Sequence, residues 1–345
     1  MKNKKGNNGN VTLKEVADAL GVSTMTVSRA INNKPNVDEK TRERILKTAN
    51  EMGYTPNLVA KSLVSSKTYS IGVVIPEISH SFFPEVVKGI EEIANKEHYQ
   101  IFLTNTSEDF EKEKKSIEAL RAKRVDGILV SSSQTEEDFS YYEKIIDSGL
   151  PLVFFDRCIG NIGASCIGVN DFAASQQITE HLINRGYKKI GYLSGPKKVS
   201  IGKERFDGFV AALNKHGLDL NEKWVTENGY NEKDGYHAMS TLLKLPENER
   251  PRAIVAVNDP VAIGAMEAIR EAGMKVPDDF AIVGFSDDIR AELMPSPLTT
   301  VHQPAYEVGK KAASKLIKTI EDNTEPIESV QLITKLIIRK SCGSS

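Results

Sequence analysis

Apolar positions along this chain follow two regimes. Over the first fifty residues they are sparse and fall three and four apart: Leu13, Val16, Ala17 and Leu20, then Val27 and Ile31, then Ile45, Ala49 and Met52. That spacing puts one apolar stripe on each of three short helices. From residue 70 onward, short unbroken apolar runs alternate with stretches of helical period. The runs at 70–75, 100–103, 126–130, 152–155, 167–169, 189–193, 253–257 and 280–285 predict strands. The stretches at 83–95, 111–123, a segment ending near 148, and 172–185, 203–216, 236–243 and 261–271 predict helices. Strand–helix alternation of this kind demands parallel sheets covered by helices on both faces. Two such series in tandem predict an α/β core of two doubly wound lobes facing each other across a cleft.

Local punctuation sharpens the N-terminal part. Thr12 and Glu15 form the T-x-x-E capping box that starts a helix, and Gly21 ends it in a tight reversal. Ser23 caps a second helix at once, and Asp38 caps a third that Gly53 stops. In the second helix Val27 and Ile31 are expected to face inward. Thr24, Met25, Ser28, Arg29 and Asn32 are left outward. A helix, a glycine turn and a polar second helix make a helix-turn-helix. Pro56 then breaks the third helix, and 57–65 is a helical candidate too short to be stable alone in water.

Charge changes the picture more than composition does. The 345 residues leave room for two or three domains, with 40% hydrophobic and 27% charged residues, as in an ordinary globular protein. The net charge of −2 hides an asymmetry: residues 1–70 hold 12 Lys and Arg against 6 Asp and Glu, and the remainder is net acidic. A basic head on an acidic body suits a module that contacts phosphates. Cys158, Cys166 and Cys342 have no C-x-x-C spacing and are expected as free, packed thiols. No apolar run reaches membrane-spanning length and residues 1–10 lack an apolar signal core, so a disordered tail and a cytoplasmic protein are expected. The six histidines show no metal spacing, no phosphate loop or G-x-G-x-x-G follows a strand, and no nucleophile elbow occurs. No enzyme, metal or cofactor is expected.

In open α/β sheets, ligands bind beyond the carboxyl ends of strands. Those ends carry Phe82 and Phe83, Ser131, Asp156 and Arg157 in the first series, and Ser200, Arg205, Tyr230, Asn258, Ser286 and Asp287 in the second. An aromatic face with a guanidinium and carboxylates suits a sugar or another small hydroxylated or anionic metabolite.

The run V-T-L-K-E-V-A-D-A-L-G-V-S-T-M-T-V-S-R-A-I-N, with K-P-N-V, T-R-E-R-I and M-G-Y-T-P-N-L-V-A-K-S-L after it, resembles the lac/purine repressor (LacI/GalR) family of bacterial transcription regulators. The resemblance continues over residues 11 to 340. It implies a helix-turn-helix domain at 11–56, a hinge helix and linker at 57–68, and a core at 69–340 like the periplasmic sugar-binding proteins. The implied lobes are 69–168 with 304–326 and 170–302 with 328–340, joined by crossings near 169, 303 and 327; 341–345 is a tail. Thr24, Met25 and Arg29 are then expected at base edges, Arg29 on guanine, since its fork fits O6 and N7. Thr12, Ser28, Asn32, Tyr54 and Asn57 are expected to contact the backbone or orient the head, and Ser23 and Thr26 are further expected DNA-binding residues.

The resemblance also makes Leu63 the wedge that unstacks a central base step in the minor groove, with Ala60 permitting close approach. Arg205, in K-E-R-F-D-G-F, matches the family's effector-binding arginine, and Tyr230 its stacking aromatic. One departure is visible: Ser286 stands where many members carry an aspartate after G-[FY]. The implied function is a repressor that binds a pseudo-palindromic operator as a homodimer and answers a small, sugar-like effector. A regulator governed by a phosphorylated carrier protein keeps the same fold, and a sugar-binding protein keeps the core but has no use for the head.

Overall fold

The structure is a computed structural model and describes residues 11–55, 67–133, 139–160, 162–322 and 324–343. The chain divides after Thr68 into two compact units. Asn57, Ala60 and Leu63, the expected hinge contacts, lie outside the described residues.

The smaller unit holds α1 (Leu13–Leu20), α2 (Thr24–Ile31) and α3 (Glu39–Glu51). The capping box closes in both directions: Thr12 Oγ1 accepts from the Glu15 N–H, and the Glu15 carboxylate accepts from the Thr12 N–H at 2.7 Å. Gly21 takes the left-handed conformation at φ 66°, which a Cβ would strain. Val16, Ala17, Val27, Ala30, Ile45 and Ala49 form the core of this unit. Ala30 is the buried partner of Val27, while Ile31, expected inward, is only half-buried. Two arginines close helix ends. Arg42 donates to the carbonyls of Ala30 and Lys34, and Arg44 donates to that of Leu20 at 2.9 Å. Carbonyls of a last helical turn have no partner inside the helix, so these side chains supply one.

The larger unit contains two parallel sheets. The first lobe orders β1 (Ser70–Ile75), β2 (Gln100–Asn105), β3 (Gly127–Val130), β4 (Leu152–Phe155), β5 (Ser165–Val169) and β11 (Ser329–Leu332) as β11-β5-β4-β3-β1-β2. Its helices are α4 (Phe82–Lys96), α5 (Phe110–Ala122), α6 (Ser140–Asp147) and α11 (Ala305–Glu321). The second lobe orders β6 (Ile190–Ser194), β7 (Val225–Glu227), β8 (Ala253–Ala256) and β9 (Ala281–Val283) as β7-β6-β8-β9. Its helices are α7 (Asp171–Asn184), α8 (Ser200–Lys215), α9 (Glu232–Leu243) and α10 (Asp259–Glu271). A two-stranded ribbon, β10 (Thr300–His302) against β12 (Lys335–Ile337), is tied to this lobe through the Val283–Thr299 bridge. Each sheet buries apolar side chains on both faces, giving two core clusters per lobe.

Glycines set the closest helix pairs. A Cβ on Gly309 of α11 would run into the Val86 carbonyl of α4, and one on Gly89 into the Tyr306 carbonyl of α11. Gly208 of α8 meets the Phe172 carbonyl of α7 in the same way, and Gly235 of α9 meets that of Val261 in α10. Backbone packs on backbone at these crossings, so there is no flexible side chain to give way.

Four expectations change. The third crossing between lobes does not fall near 327, because β11 pairs with β5 in the first lobe; it falls in the two residues between Leu332 and Lys335. Helix α8 begins at Ser200 and α9 at Glu232, three and four residues before the apolar period starts. For α9 the cause is the Asn231–Asp234 capping box. Cys158 and Cys166 are not free thiols: they pair as a disulfide across the β4–β5 connection, with Cα atoms 5.8 Å apart, and Cys342 is buried outside that disulfide.

Gly309→Ala is expected to lower the unfolding free energy of the larger unit by about 1–3 kcal/mol, since overpacking at a backbone contact must part the helices. Urea titration of parent and variant checks this, and unchanged midpoints would show slack at the crossing.

Candidate functional site

The outward face of α2 carries the residues the head has to offer. Thr24, Met25, Arg29 and Asn32 are exposed, Met25 at 62%. Ser28 and Thr26 are half-buried. Ser23 and Thr26 satisfy each other locally: Ser23 Oγ accepts the Thr26 N–H at 3.1 Å, and the two hydroxyls lie 2.8 Å apart. The Asn32 amide caps the helix by donating to the Ser28 carbonyl. Thr12 is exposed and Tyr54 half-buried. A helix with polar side chains and a methionine exposed on one face has the form that insertion into a major groove needs.

The cleft between the lobes of the larger unit gathers residues from both. Phe82, Phe83, Asp156, Arg157, Arg205, Tyr230, Asn258 and Ser286, all expected, line it together. Tyr230 is seated by glycines, since a Cβ on Gly195 would strike its ring and one on Gly202 would come within 2.9 Å of its hydroxyl. The Arg157 guanidinium lies 4.7 Å over the Tyr230 ring, so it covers one face that a ligand was expected to use.

Both arginines are buried and paired. Arg205 donates from Nε to Asp171 at 2.7 Å and from Nη1 to the Val257 carbonyl at 2.8 Å, and stacks 3.7 Å over Phe285. It sits in the second turn of α8, not at its start, and so reaches inward against the sheet. Arg157 holds Glu108 through both terminal nitrogens, at 2.7 Å from Nη2 to Oε1. Burial pushes the Asp156 carboxyl up to about 6, and the neighbouring Arg157 and Arg205 charges pull the other way. Three buried polar atoms of the lining residues, Tyr230 Oη, Arg157 Nε and His80 Nδ1, have no hydrogen-bond partner among the described residues.

Contacts also join the lobes directly. The Ile289 N–H donates to Ser81 Oγ at 3.4 Å, and His80 Nδ1 is 3.8 Å from Glu232. Within the second lobe, Arg290 bridges Asp288 and Glu232 at 2.8 and 2.6 Å. Burial opposes ionisation of Asp288, but hydrogen bonds from Arg290 outweigh it and hold the carboxyl at about 2.

Three expected residues lie off this cleft. Ser131 is fully buried behind it, its hydroxyl 3.5 Å from Asp156. Ser200 lines a small cavity on the far side of Arg157. Asp287 turns to the opposite groove at φ 57°, where it meets His302 at 3.0 Å and Arg339 at 2.9 Å. Conversely, Glu77, His80, Glu108, Ile201, Asn231, Pro260 and Gln303 line the cleft without having been expected. Glu77 and Glu108 follow the ends of β1 and β2, so the strand-end rule could have found them. Gln303 sits on a crossing between lobes, where no local pattern marks it.

A helix-turn-helix unit followed by a two-lobed α/β core with a polar cleft defines a ligand-responsive DNA-binding regulator. The chain belongs to the lacI family of bacterial regulatory proteins: that family's pattern matches residues 12–57, and that of the periplasmic binding proteins and sugar binding domain of the LacI family matches residues 68–340. It is a DNA-binding transcriptional repressor, not an enzyme. It is 36% identical over 330 residues to the HTH-type transcriptional repressor PurR of Mannheimia succiniciproducens, covering 96% of this chain and 98% of the relative. It is 35% identical to PurR of Pasteurella multocida, covering 96% and 99%. Among solved structures it resembles the lac repressor dimer bound to operator and the anti-inducer ONPF, at a TM-score of 0.87 and 25% identity over 97% of this chain and 99% of that one. The regulator CelR in complex with cellobiose matches at a TM-score of 0.73 and 28% identity, covering 96% and 100%.

Next to the cleft, the fully buried Asp259 accepts from Thr300 at 2.6 Å and from the Asp288 N–H at 2.7 Å. Burial lifts its carboxyl from the ordinary 3.8 to about 7, against the pull of these hydrogen bonds. The folded protein therefore binds this proton more tightly than the unfolded chain. The stabilisation it supplies is whole below about pH 4 and is lost as pH rises through about 7. Asp259→Asn cannot ionise, so urea unfolding between about pH 5 and pH 8 is expected to show a flatter profile than the parent's. Equal slopes would mean that Asp259 is ionised in the folded core.

Proposed function

We propose that this repressor binds a small, polar, sugar-like effector in the cleft between its core lobes, and that Thr24, Met25 and Arg29 read the operator. The observation that supports the effector site is the set of buried polar atoms without a hydrogen bond among its lining residues, since such atoms cost free energy until a ligand meets them. Side-chain amides of Asn231, Asn258 and Gln303 add donors and acceptors suited to hydroxyls. Thr12, Ser28, Asn32, Tyr54 and Asn57 then contact the backbone or orient the head, with Ala60 and Leu63 assigned to the minor groove by resemblance.

A homodimer on a pseudo-palindromic site is the second part of the proposal. Its support is apolar surface on the second lobe: Ile289 and Leu293 are 75% and 78% exposed, beside a groove lined by Ile263, Met266, Met274 and Met294. The absence among the described residues of any helix long and apolar enough to cross a membrane accords with a cytoplasmic protein. Effector binding shifts operator affinity only by as much as it prefers one arrangement of the lobes.

Two experiments test this. In the first, uncharged mono- and disaccharides are screened by thermal shift and each hit is added to an operator titration. Tyr230→Phe, which removes a buried hydroxyl that has no partner, is expected to raise the melting temperature of the free protein and to weaken its response to the hit severalfold. A variant that responds like the parent takes Tyr230 out of the ligand's reach, and a screen with no hit that changes operator affinity sinks the effector assignment. In the second, Arg29→Ala is expected to cost roughly 1–3 kcal/mol on the cognate operator and little on scrambled DNA. Equal losses on both would leave Arg29 a phosphate contact.

A further inference from the structure

The cleft has two guanidinium groups, and the wall itself has answered both. Arg205 is held by Asp171 at 2.7 Å, with both side chains 4% exposed. Arg157 is the more informative, because its partner stands on the ligand side. Glu108 lines the cleft, with a side chain 34% exposed against 4% for Arg157. Each terminal nitrogen of Arg157 takes one oxygen of the Glu108 carboxylate. This fork-on-fork geometry is the one by which a free arginine captures a phosphate or carboxylate of a ligand. Glu108 thus stands where an anionic ligand group would have to bind.

The backbone is committed to this placement. Ser107 and Glu108 both adopt positive φ, at 54° and 59°, in the turn between β2 and α5. Two consecutive non-glycine residues in that region are costly, and persist only where the surroundings hold them. The turn delivers the carboxylate to Arg157. Asp156 brings a further carboxyl to the same wall, 3.9 Å from Arg157 Nε.

We infer that Glu108 determines the ligand class of the cleft: by occupying Arg157 it excludes phosphorylated and carboxylated metabolites and leaves the site to uncharged polyhydroxyl ligands. This rests on the reading of the cleft as the effector site. A phosphorylated ligand would have to displace Glu108 and then lie beside its freed charge as well as that of Asp156. Repulsion between like charges at contact distance in a partly desolvated site makes that exchange unfavourable. An uncharged ligand leaves the pair intact and meets only hydrogen-bonding groups and aromatic faces.

The test uses full-length protein and calorimetric titration with matched pairs, glucose with glucose 6-phosphate and ribose with ribose 5-phosphate, and with inorganic phosphate alone. In the parent, neither sugar phosphate nor inorganic phosphate is expected to bind at millimolar concentration. Glu108→Gln keeps the shape and removes the charge. It is expected to gain at least about tenfold in affinity for inorganic phosphate and the sugar phosphates, a gain that shrinks with added salt. Adding Arg157→Gln to that variant is expected to abolish the gain. A parent that binds a phosphorylated member as tightly as its uncharged partner overturns the inference, as does a correctly folded Glu108→Gln that gains nothing. The parent titrations stand without the variant if it does not fold. Operator affinity measured with each bound ligand separates the two readings. Gain of anion binding without any change at the operator would keep the charge rule and remove the cleft as effector site.

Discussion

A guanidinium taken out of water needs an answering charge, and much of the core follows from having two of them buried side by side. Arg205 comes from α8 and its partner Asp171 is the first residue of α7, so the ion pair ties the helix that follows the first crossing to the floor of the cleft. Arg157 and Glu108 come from the ends of β4 and β2, which the pair binds together across the top of the first sheet. Asp156 is then the carboxyl left over, which is why burial can push it up to about 6 despite two nearby cations. The result is a wall rich in charged groups whose charges nearly cancel. Recognition inside it falls to hydrogen bonds and to shape.

The head and the alternation of the core could be read directly from the residues. Thr12 with Glu15, Gly21, Ser23 and Asp38 each act as the local rule requires, because caps and turns depend on a few neighbours and little else. The central parallel strands β1, β3, β4, β6 and β8 were equally legible, being buried on both faces. What escaped is what depends on distant partners. The ribbon β10–β12 and the edge strand β11 are three or four residues long, and the alternating burial of β11 gives little apolar signal. The roles of Arg42 and Arg44 as caps for α2 and α1 require knowing that α3 lies across both. The Cys158–Cys166 pair is set by adjacent strands, not by sequence spacing.

The same distinction explains the cleft. Tyr230 follows the end of β7 and Arg205 lies in the helix after β6, so both were marked by position, but position says nothing of what neutralises a charge. Arg157 covers a face of Tyr230, and Glu108 covers Arg157. Strand-end residues were therefore mostly gathered as expected, while the chemistry they present was changed by neighbours that the pattern does not show. Ser131, Ser200 and Asp287 illustrate the other outcome, in which a polar group at a strand end serves the frame of the site and not its interior.

The late third crossing bears on how the chain is made. The first lobe is incomplete without α11 and β11, and the second without β12, so both need residues from the last eighth of the sequence. On a ribosome, where chains emerge N-terminus first, the first lobe cannot close its sheet, nor the second gain its ribbon, until synthesis is nearly over. The helical head is complete within its first 55 residues and its contacts are local, so it folds early and quickly. During most of synthesis the growing chain therefore carries a finished DNA-binding module ahead of a sensor that does not yet exist.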